Sequence, residues 1–306
     1  MRSAGFRTLK CCGRNCRAQH EADTKQQSAC SPDLGEGHGA TMARKPQNWV
    51  TNATMSPKIT GNSSTLIGAQ MIEIPSSALV VTAHPDDIDF GGGGTIAKLR
   101  AAGTEISYCI CTDGHQGGDD PTISRDQMRK IRQHEQREAA KVFGVSDVAF
   151  LGFDDGNLFP TIELRKAIVA QIRRTKPEVV ITQSPERNWE RIFASHPDHM
   201  AAGEAAMQAI YPDARNPFAF PDLLTQGLEP WHVAEAWVMA HPTPNNFVDI
   251  TDFIDKKIAA LHAHASQTTQ IPDLVERITE WGTMIAEHAQ LPEGRLAEAF
   301  FVAATN

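Results

Sequence analysis

Short apolar runs alternate with segments of helical periodicity from residue 78 onwards, and this alternation constrains the fold more than any other feature. Buried strands are predicted at 78–83, 105–111, 148–152, 179–183 and 235–240, with a further edge strand at 299–302. Helices are predicted at 95–102, 126–143, 161–174, 197–210, 252–266 and 274–288. Such alternation is typical of a parallel sheet with helices on both faces. We therefore predict an α/β fold with a doubly wound, mostly parallel sheet, formed as a single domain by residues 76–306.

Residues 1–75 lack any helical or strand periodicity and are rich in Ser, Thr, Asn, Gln and Gly. That composition predicts disorder. The segment is interpreted as a disordered extension, a targeting segment, or sequence upstream of the true start codon, for which Met42, Met55 and Met71 are candidates. It contains four of the six cysteines, at a spacing that matches no common zinc site. The other two, Cys109 and Cys111, lie two apart in a predicted strand and are expected to be buried thiols.

The overall charge argues against two classes of partner. Lys and Arg number 29 and Asp and Glu number 37, so the net charge is −8. An acidic chain is a poor candidate for binding nucleic acid or an anionic membrane surface. No apolar run approaches the roughly 18 residues that a membrane-spanning helix needs. We expect a cytoplasmic protein with a small-molecule partner.

The stretch VVTAHPDDIDFGGGG, residues 80–94, follows the first predicted strand and allows three interpretations. A dinucleotide-binding loop needs spaced glycines directly after the strand, whereas here HPDD intervenes and the four glycines are contiguous. A second interpretation is structural, since Pro and Asp turn the chain and cap helices. The third is a metal site, because His and Asp are common ligands of transition metals.

A second cluster, SHPDH at 195–199, favours the metal site because it also follows a predicted strand and precedes a helix. His196 and His199 are three apart, so both imidazoles can lie on one side of the first helical turn. In a doubly wound sheet, the strands before the two clusters are neighbours at the switch point. His84, Asp87 and His199 could then converge. Two histidines, one carboxylate and water are a catalytic zinc pattern.

The remaining residues of the two clusters suit acid–base chemistry. The side chains of adjacent Asp86 and Asp87 diverge, so one can bind metal while the other serves as general base for the attacking water. His196, if it is not a ligand, can face the developing oxyanion or protonate the leaving amine.

Several motifs together carry a resemblance to a known family. AHPDDIDFGGGGTIAKL, TDGHQGG, RQHEQREAAKVFGV, FLGFDDGNL and SHPDH resemble the PIG-L or LmbE-like zinc-dependent N-deacetylases, over about residues 76–240. That family includes the N-acetylglucosaminyl deacetylases of mycothiol, bacillithiol and GPI-anchor synthesis. The resemblance implies a Rossmann-like fold with the site at the strand ends.

The resemblance also implies individual roles. It makes His84, Asp87 and His199 zinc ligands, Asp86 the general base, and His196 the residue that stabilises the tetrahedral intermediate or protonates the amine. Asp198 would orient His196. The chain departs from the family at Asp89, where members often carry Glu. It also has Ala194 and Ser195 before HPDH, where some sugar deacetylases have an aromatic residue.

Other residues near the predicted strand ends have two interpretations each. Residues 112–115 line the pocket or form a Gly-rich turn, and Asp154 and Asp155 bound the pocket or form a turn. Arg125 and Glu135 contact substrate hydroxyls or form surface ion pairs. Trp189 and Arg191 are candidates for a lid over a sugar. His262, His264 and His288 are expected to be surface or packing residues.

The sequence thus predicts a zinc-dependent hydrolase that removes an acyl group, most simply acetyl, from an amide nitrogen of a small sugar-like substrate such as an N-acetylglucosaminide. A His₂Asp site also accepts Fe²⁺ or Co²⁺ in place of Zn²⁺. The alternatives are an amidase of thiol-sugar conjugates and a non-catalytic nucleotide-binding module. The prediction leaves open whether the protein is a homo-oligomer.

Overall fold

The structure is a computed structural model, and it describes residues 73–306. The predictions for residues 1–72, including their four cysteines, lie outside the described residues. The strands are β1 (Ser77–Thr82), β2 (Glu105–Thr112), β3 (Asp147–Phe153), β4 (Val179–Gln183), β5 (Glu235–Met239), β6 (Asn246–Asp249) and β7 (Ala297–Ala304). The helices are α1 (Asp87–Ala101), α2 (Arg125–Val142), α3 (Ile162–Thr175), α4 (Pro197–Gln208), α5 (Pro221–Thr225), α6 (Ile254–Ala263), α7 (Ala265–Thr268) and α8 (Leu274–His288).

The seven strands form one sheet in the order β3-β2-β1-β4-β5-β7-β6. The first five are parallel, and β7 pairs antiparallel with both β5 and β6. The predicted mostly parallel α/β sheet is therefore confirmed. The chain runs outward from β1 in one direction through β2 and β3 and in the other from β4, so the switch point lies between β1 and β4.

Both faces of the sheet are covered by apolar side chains. Val80 of β1 packs in one cluster, which includes Tyr108, Ile181, Trp237 and Phe300. Its neighbours on β1 point to the other face and pack with the buried residues of α3 and α4. Cys109 and Cys111 both lie in that second cluster as free, buried thiols, as expected. This two-sided burial explains why the central strands read as continuous apolar runs.

The start of α1 differs from the prediction. The helix was predicted from residue 95, after the glycines, but it begins at Asp87 and contains all four of them. The reason is packing: a Cβ on Gly94 would lie 2.6 Å from Cδ1 of buried Ile250, and a Cβ on Gly91 would lie 2.9 Å from Sδ of Met239. The glycines therefore let the helix approach its neighbours closely, and they do not form a phosphate-binding loop.

The edge of the sheet also differs from the prediction. The strand predicted at 299–302 was assigned to the edge, whereas β7 lies between β5 and β6. The edge strand at this end of the sheet is β6. It was not predicted because its four residues, NFVD, include Asn and Asp, which are depleted in strands. The helix predicted at 252–266 is broken at His264, whose non-helical ψ of 54° separates α6 from α7.

Among the described residues, no helix is both long enough and apolar enough to cross a bilayer.

Candidate active site

The two HPD segments meet at the carboxyl ends of neighbouring strands. β1 and β4 pair in parallel, with Ala78 opposite Val179 and Val81 opposite Thr182. The segment after β1 contains His84, and the longer loop after β4 leads to His196. A hydrogen bond from Ala83 N to Oε1 of Gln183, 2.8 Å, joins the two strand ends. The predicted convergence at the switch point is therefore observed.

Three imidazole rings form a cluster between the two segments. The ring centroid of His84 lies 5.0 Å from that of His196 and 5.2 Å from that of His199, and the centroids of His196 and His199 are 5.2 Å apart. Each ring offers a nitrogen within 4.8 Å of a nitrogen of the others. That spacing suits a bound cation.

The carboxylate of Asp87 lies between two of these rings. Its Oδ1 is 3.0 Å from Nε2 of His199, and its Oδ2 is 3.4 Å from Nδ1 of His84. The backbone N–H of His84 also donates to Oδ2, at 2.6 Å. Burial opposes ionisation of Asp87, but the adjacent His199 and His84 hold its pKa well below the ordinary value. The structure thus brings together His84, Asp87 and His199.

The opposite side of the His84 ring faces two further carboxylates. Nε2 of His84 lies 3.1 Å from Oδ1 of Asp155 and 3.2 Å from Oδ2 of Asp198. These three residues form a second group whose ligand atoms lie within 4.8 Å of one another. Asp198 also accepts hydrogen bonds from the backbone N–H groups of Gly156 and Leu158, at 2.7 and 3.1 Å. Its carboxylate therefore contacts both the loop after β3 and the ring of His84.

The carboxylate of Asp198 does not lie against His196, the residue that Asp198 is expected to orient. Asp198 is the second residue of α4, so its side chain turns back towards His84, and only its backbone N–H reaches Nδ1 of His196, at 3.2 Å. Asp155, by contrast, was not singled out as a partner of His84. The DD pair of the FDDGN motif was a signal that could have identified it, because this pair follows the carboxyl end of β3.

The carboxylates around His84 favour a positive charge at this point. Burial disfavours a charged imidazole, but Asp87, Asp155 and Asp198 together raise the pKa of His84 to about 12. A metal cation can take the place of that proton, since metal ligation requires a neutral imidazole. Imidazole nitrogen and carboxylate oxygen are also the donor set of catalytic zinc sites. The residues present therefore fit a divalent cation.

The carboxylate of Asp86 is held from the side of α2. Its carboxylate accepts a hydrogen bond from the guanidinium of Arg132, at 2.9 Å. Arg132 is buried and also donates to the carbonyl oxygens of Pro85 and Gly114, at 2.6 and 2.9 Å. Burial, assisted by the negative charge of Asp87, raises the pKa of Asp86 in spite of Arg132. The two adjacent carboxylates diverge, as predicted.

His196 is the most exposed of the three histidines. It caps α4, where its Nδ1 accepts the N–H of Asp198. Because Nδ1 is an acceptor, the proton of the neutral ring is on Nε2. Partial burial and the neighbouring His84 and His199 lower the pKa of His196. The ring is therefore a neutral hydrogen-bond donor near pH 7.

Known proteins resemble this chain over the region that contains both HPD segments. Residues 79–210 match a family described as PIG-L, GlcNAc-PI de-N-acetylase. The diacetylchitobiose deacetylase of Thermococcus kodakarensis is 35% identical to this chain over 189 residues, which cover 62% of this chain and 69% of that protein. The chain belongs to the PIG-L family.

Two further comparisons extend this assignment. A Bacillus anthracis protein named probable N-acetyl-α-D-glucosaminyl L-malate deacetylase 2 is 31% identical over 204 residues, covering 64% of this chain and 84% of that protein. The structure of N,N'-diacetylchitobiose deacetylase from Pyrococcus horikoshii, in complex with its inhibitor MPG, superposes with a TM-score of 0.68 and 29% identity. The superposition covers 75% of this chain and 84% of that one.

The loop after β2 connects the PIG-L site to α2. Gly114 has φ of +63°, and a Cβ there would overlap the guanidinium of Arg132. Asp113 accepts from Gln133 at 2.6 Å and contacts Nε of Arg129 at 2.9 Å. These contacts favour the turn interpretation of residues 112–115. The role of Arg132 could not be predicted from the sequence, because a buried arginine leaves no periodic signal.

The remaining candidates lie at the periphery or serve packing. Glu135 accepts hydrogen bonds from the backbone N–H and hydroxyl of Ser266, at 2.8 and 2.6 Å, so it is not a surface ion pair. Trp189 is 81% exposed in the loop before α4. The guanidinium of Arg191 lies 5.7 Å from the ring centroid of Trp281 on α8. His264 is buried, as a packing residue would be.

Proposed function

We propose that this PIG-L protein is a metal-dependent N-deacetylase that removes the acetyl group from an N-acetylglucosamine unit of a small glycoside. The observation that carries the proposal is the convergence of His84, Asp87 and His199, with Asp86 beside them, at the ends of β1 and β4. The relatives named above act on diacetylchitobiose or on N-acetylglucosaminyl malate, according to their names. Both substrates contain an N-acetylated glucosamine.

The proposed cation ligands are Nδ1 of His84, the carboxylate of Asp87 and Nε2 of His199. The side of the His84 ring that faces Asp87 is preferred because Asp87 also contacts Nε2 of His199 there, so that two imidazoles and a carboxylate adjoin. Nε2 of His84 then donates to Asp155 or Asp198, an arrangement that fixes the tautomer of a metal-bound histidine. Zn²⁺ is the proposed ion, and Fe²⁺ or Co²⁺ would accept the same donors.

A cation bound there would supply Lewis-acid chemistry for the amide carbonyl and the attacking water. Asp86 is proposed to remove the proton of that water, because it is next to the ligand set and its raised pKa makes it a stronger base than an ordinary carboxylate. Arg132 holds the Asp86 carboxylate in one direction. The proton taken up by Asp86 is then passed to the leaving amine, so that water and amide become carboxylate and protonated amine.

His196 is proposed to stabilise the negative charge that develops on the amide oxygen. Its lowered pKa keeps the ring neutral, and the acceptor role of Nδ1 leaves the Nε2 proton free for donation. A positioned donor of this kind contributes most in the transition state, where the charge is largest. Asp198 is proposed to support this step indirectly, through the backbone N–H that orients His196.

The two alternatives receive less support. A nucleotide-binding module would need the glycines in a loop that faces a ligand, whereas they are packed inside α1. An amidase of thiol-sugar conjugates would cleave a larger amide, whereas the relatives reported above are named deacetylases.

The test is release of free amine by the full chain from a panel that includes N,N'-diacetylchitobiose and N-acetylglucosaminyl malate. We expect release that stops after chelation and returns when Zn²⁺, Fe²⁺ or Co²⁺ is added separately. The ion that restores most activity identifies the preferred metal. Full activity after chelation, in protein shown to contain no metal, would contradict the proposal.

A further inference from the structure

A chain of three buried side chains runs from the backbone of Asp86 to the junction of α6 and α7. The N–H of Asp86 donates to Oε1 of Gln136, at 2.8 Å. Nε2 of Gln136 donates to Oδ2 of Asp89, at 2.9 Å. The same oxygen lies 2.8 Å from Nε2 of His264. Gln136, Asp89 and His264 are each fully buried.

The direction of these hydrogen bonds is fixed from the Asp86 end. A backbone N–H only donates, so the amide oxygen of Gln136 faces Asp86 and its amide nitrogen donates to Oδ2 of Asp89. The same oxygen of Asp89 contacts Nε2 of His264. His264 thereby holds the Asp89 carboxylate against the Gln136 amide.

The residue at the near end of the chain has a conformation that needs support. Asp86 has φ of 87° and ψ of −25°, in the left-handed region. A non-glycine residue there is strained, and it persists where its surroundings determine its conformation. Two residues of α2, one turn apart, hold its two ends: Arg132 binds the carboxylate and Gln136 binds the N–H.

We propose that His264 is a positioning residue for Asp86, acting through Asp89 and Gln136 to fix the backbone of Asp86 and hence the direction of its carboxylate. This inference rests on the proposed function in so far as Asp86 is the general base. It assigns a role in catalysis to a residue outside the 79–210 segment that matches the family. It also gives a reason for Asp89, whose carboxylate connects α1, α2 and the α6–α7 junction.

Two substitutions of His264 separate positioning from simple packing. His264→Leu removes the donor to Asp89, whereas His264→Gln keeps a nitrogen donor near the Nε2 position. For His264→Leu loaded with metal, we expect kcat to fall about 10- to 100-fold, the loss associated with misplacing a catalytic group by about 1 Å. We expect KM to stay within about twofold, because Asp86 is not proposed to bind substrate. His264→Gln should restore most of kcat.

A matched control comes from another buried pair under α1. Nζ of Lys257 lies 2.6 Å from Oε1 of Glu298, which accepts the backbone N–H groups of Gly94 and Thr95. Lys257 also donates to the carbonyl oxygen of Phe90, so the pair supports α1 without a hydrogen bond to Gln136, Asp89 or His264. Lys257→Met should lower thermal stability and leave kcat unchanged. An equal loss of kcat in Lys257→Met and His264→Leu would overturn the inference, as would an unchanged kcat in His264→Leu. Gln136→Met breaks the same chain at its next link and serves if His264→Leu does not fold.

Crystal structures of metal-loaded wild type and His264→Leu, or Gln136→Met in its place, provide a readout that needs no substrate. We expect the Asp86 carboxylate to be displaced in the variant while the ligands His84, Asp87 and His199 stay in place. An Asp86 that keeps its left-handed conformation and its contact with Arg132 would refute positioning by His264, whatever the activity. If wild type releases amine from no sugar in the panel, the proposed function fails instead, and the displacement of Asp86 still decides the role of His264.

Discussion

The two HPD segments share three residues and each follows a strand of the sheet, yet equivalent residues occupy different positions relative to the helix that follows. In the first segment, α1 begins after Asp86, so His84 lies three residues before the helix and Asp86 is its N-cap. In the second, His196 itself is the N-cap and α4 begins at Pro197. The helix therefore starts two positions earlier relative to the motif. One aspartate then faces Arg132 on α2, and the other, Asp198, faces His84.

Because the two helices start at different positions relative to the motif, we propose different roles for the histidines of the two segments. The histidine of the first segment is buried and has carboxylates on both sides of its ring, which suits a ligand. The histidine of the second is more exposed, neutral and a donor, which suits contact with substrate. A motif read only as letters assigns equivalent roles to residues whose backbone positions are not equivalent.

The largest expected effect is that of Asp87→Asn, which removes the carboxylate between the two rings. We expect metal content to fall from about one ion per chain to near zero, with loss of measurable deacetylation, because a three-ligand site rarely tolerates loss of its only anion. Elemental analysis of the purified variant measures this directly. A variant that keeps its metal and its activity would show that the cation lies elsewhere.

The next effect concerns the aspartate beside it. Asp86→Asn should lower kcat by about 10² to 10⁴-fold, the usual contribution of a general base, with metal content unchanged. Metal analysis and steady-state kinetics on the same preparation distinguish this result from loss of a ligand. Loss of metal together with activity would assign Asp86, and not only Asp87, to the ligand set.

The carboxylates on the far side of His84 should have a smaller effect. Asp198→Asn and Asp155→Asn are expected to weaken metal affinity or activity by about 10- to 100-fold, as partners that orient a metal-bound histidine do. Asp154→Asn is the matched control for Asp155, because its carboxylate is more than half exposed and contacts only His115 and Asn157 among the described residues. If Asp154→Asn loses as much activity as Asp155→Asn, the loss comes from disturbing the loop after β3 and not from losing the contact with His84.

Metal binding should also depend on pH through His84. Its pKa of about 12 in the metal-free protein means that the ring is cationic at pH 7 and must lose a proton to bind metal. Asp87, whose pKa is lowered, is already ionised and releases none. We expect about one proton to be released from His84 per cation and the apparent affinity to rise about tenfold per pH unit around neutrality. Calorimetry in buffers of different ionisation enthalpy counts the protons, and His84 is not the ligand if its substitution leaves that count unchanged.

The smallest effects are on stability, and they compare the two helices that follow the segments. A Cβ on Gly203 of α4 would overlap the backbone oxygen of Gln183, whereas a Cβ on Gly94 of α1 would meet the side chain of Ile250. A side chain can shift more easily than a strand backbone. We expect both alanine variants to lose about 1 to 3 kcal/mol in the free energy of unfolding, with Gly203→Ala at the upper end. Urea denaturation of the metal-free proteins gives both values, and the packing account of these glycines is wrong if Gly94→Ala is as stable as wild type.

Much of the fold could be predicted because the physical signals are local. β4 and α8 have the predicted bounds, since one is a buried apolar run and the other an amphipathic helix. The start of α1 could not be predicted, because four glycines signal a loop and only the neighbouring Ile250 and Met239 explain their place in a helix. β6 could not be predicted because it is short and polar, and its partners on β7 lie 48 to 54 positions further along the chain.

The candidate site was predictable to the extent that it depends on strand ends. The meeting of His84, Asp87 and His199 follows from the switch point between β1 and β4. The switch point does not predict the partners that hold these residues. Arg132 and Asp155 come from α2 and from the loop after β3, and no spacing relates them to the two HPD segments. The direction of Asp198 depends on where α4 begins, which differs from the start of α1 by two positions in the motif.

We propose that the cation binds on the Asp87 side of the His84 ring. The most direct measurement is a crystal structure of the zinc-loaded protein with anomalous diffraction data at the zinc absorption edge. We expect an anomalous peak at about 2.0 to 2.2 Å from Nδ1 of His84, Nε2 of His199 and an oxygen of Asp87. A peak on the other side of the ring, at Nε2 of His84 between Asp155 and Asp198, would contradict it.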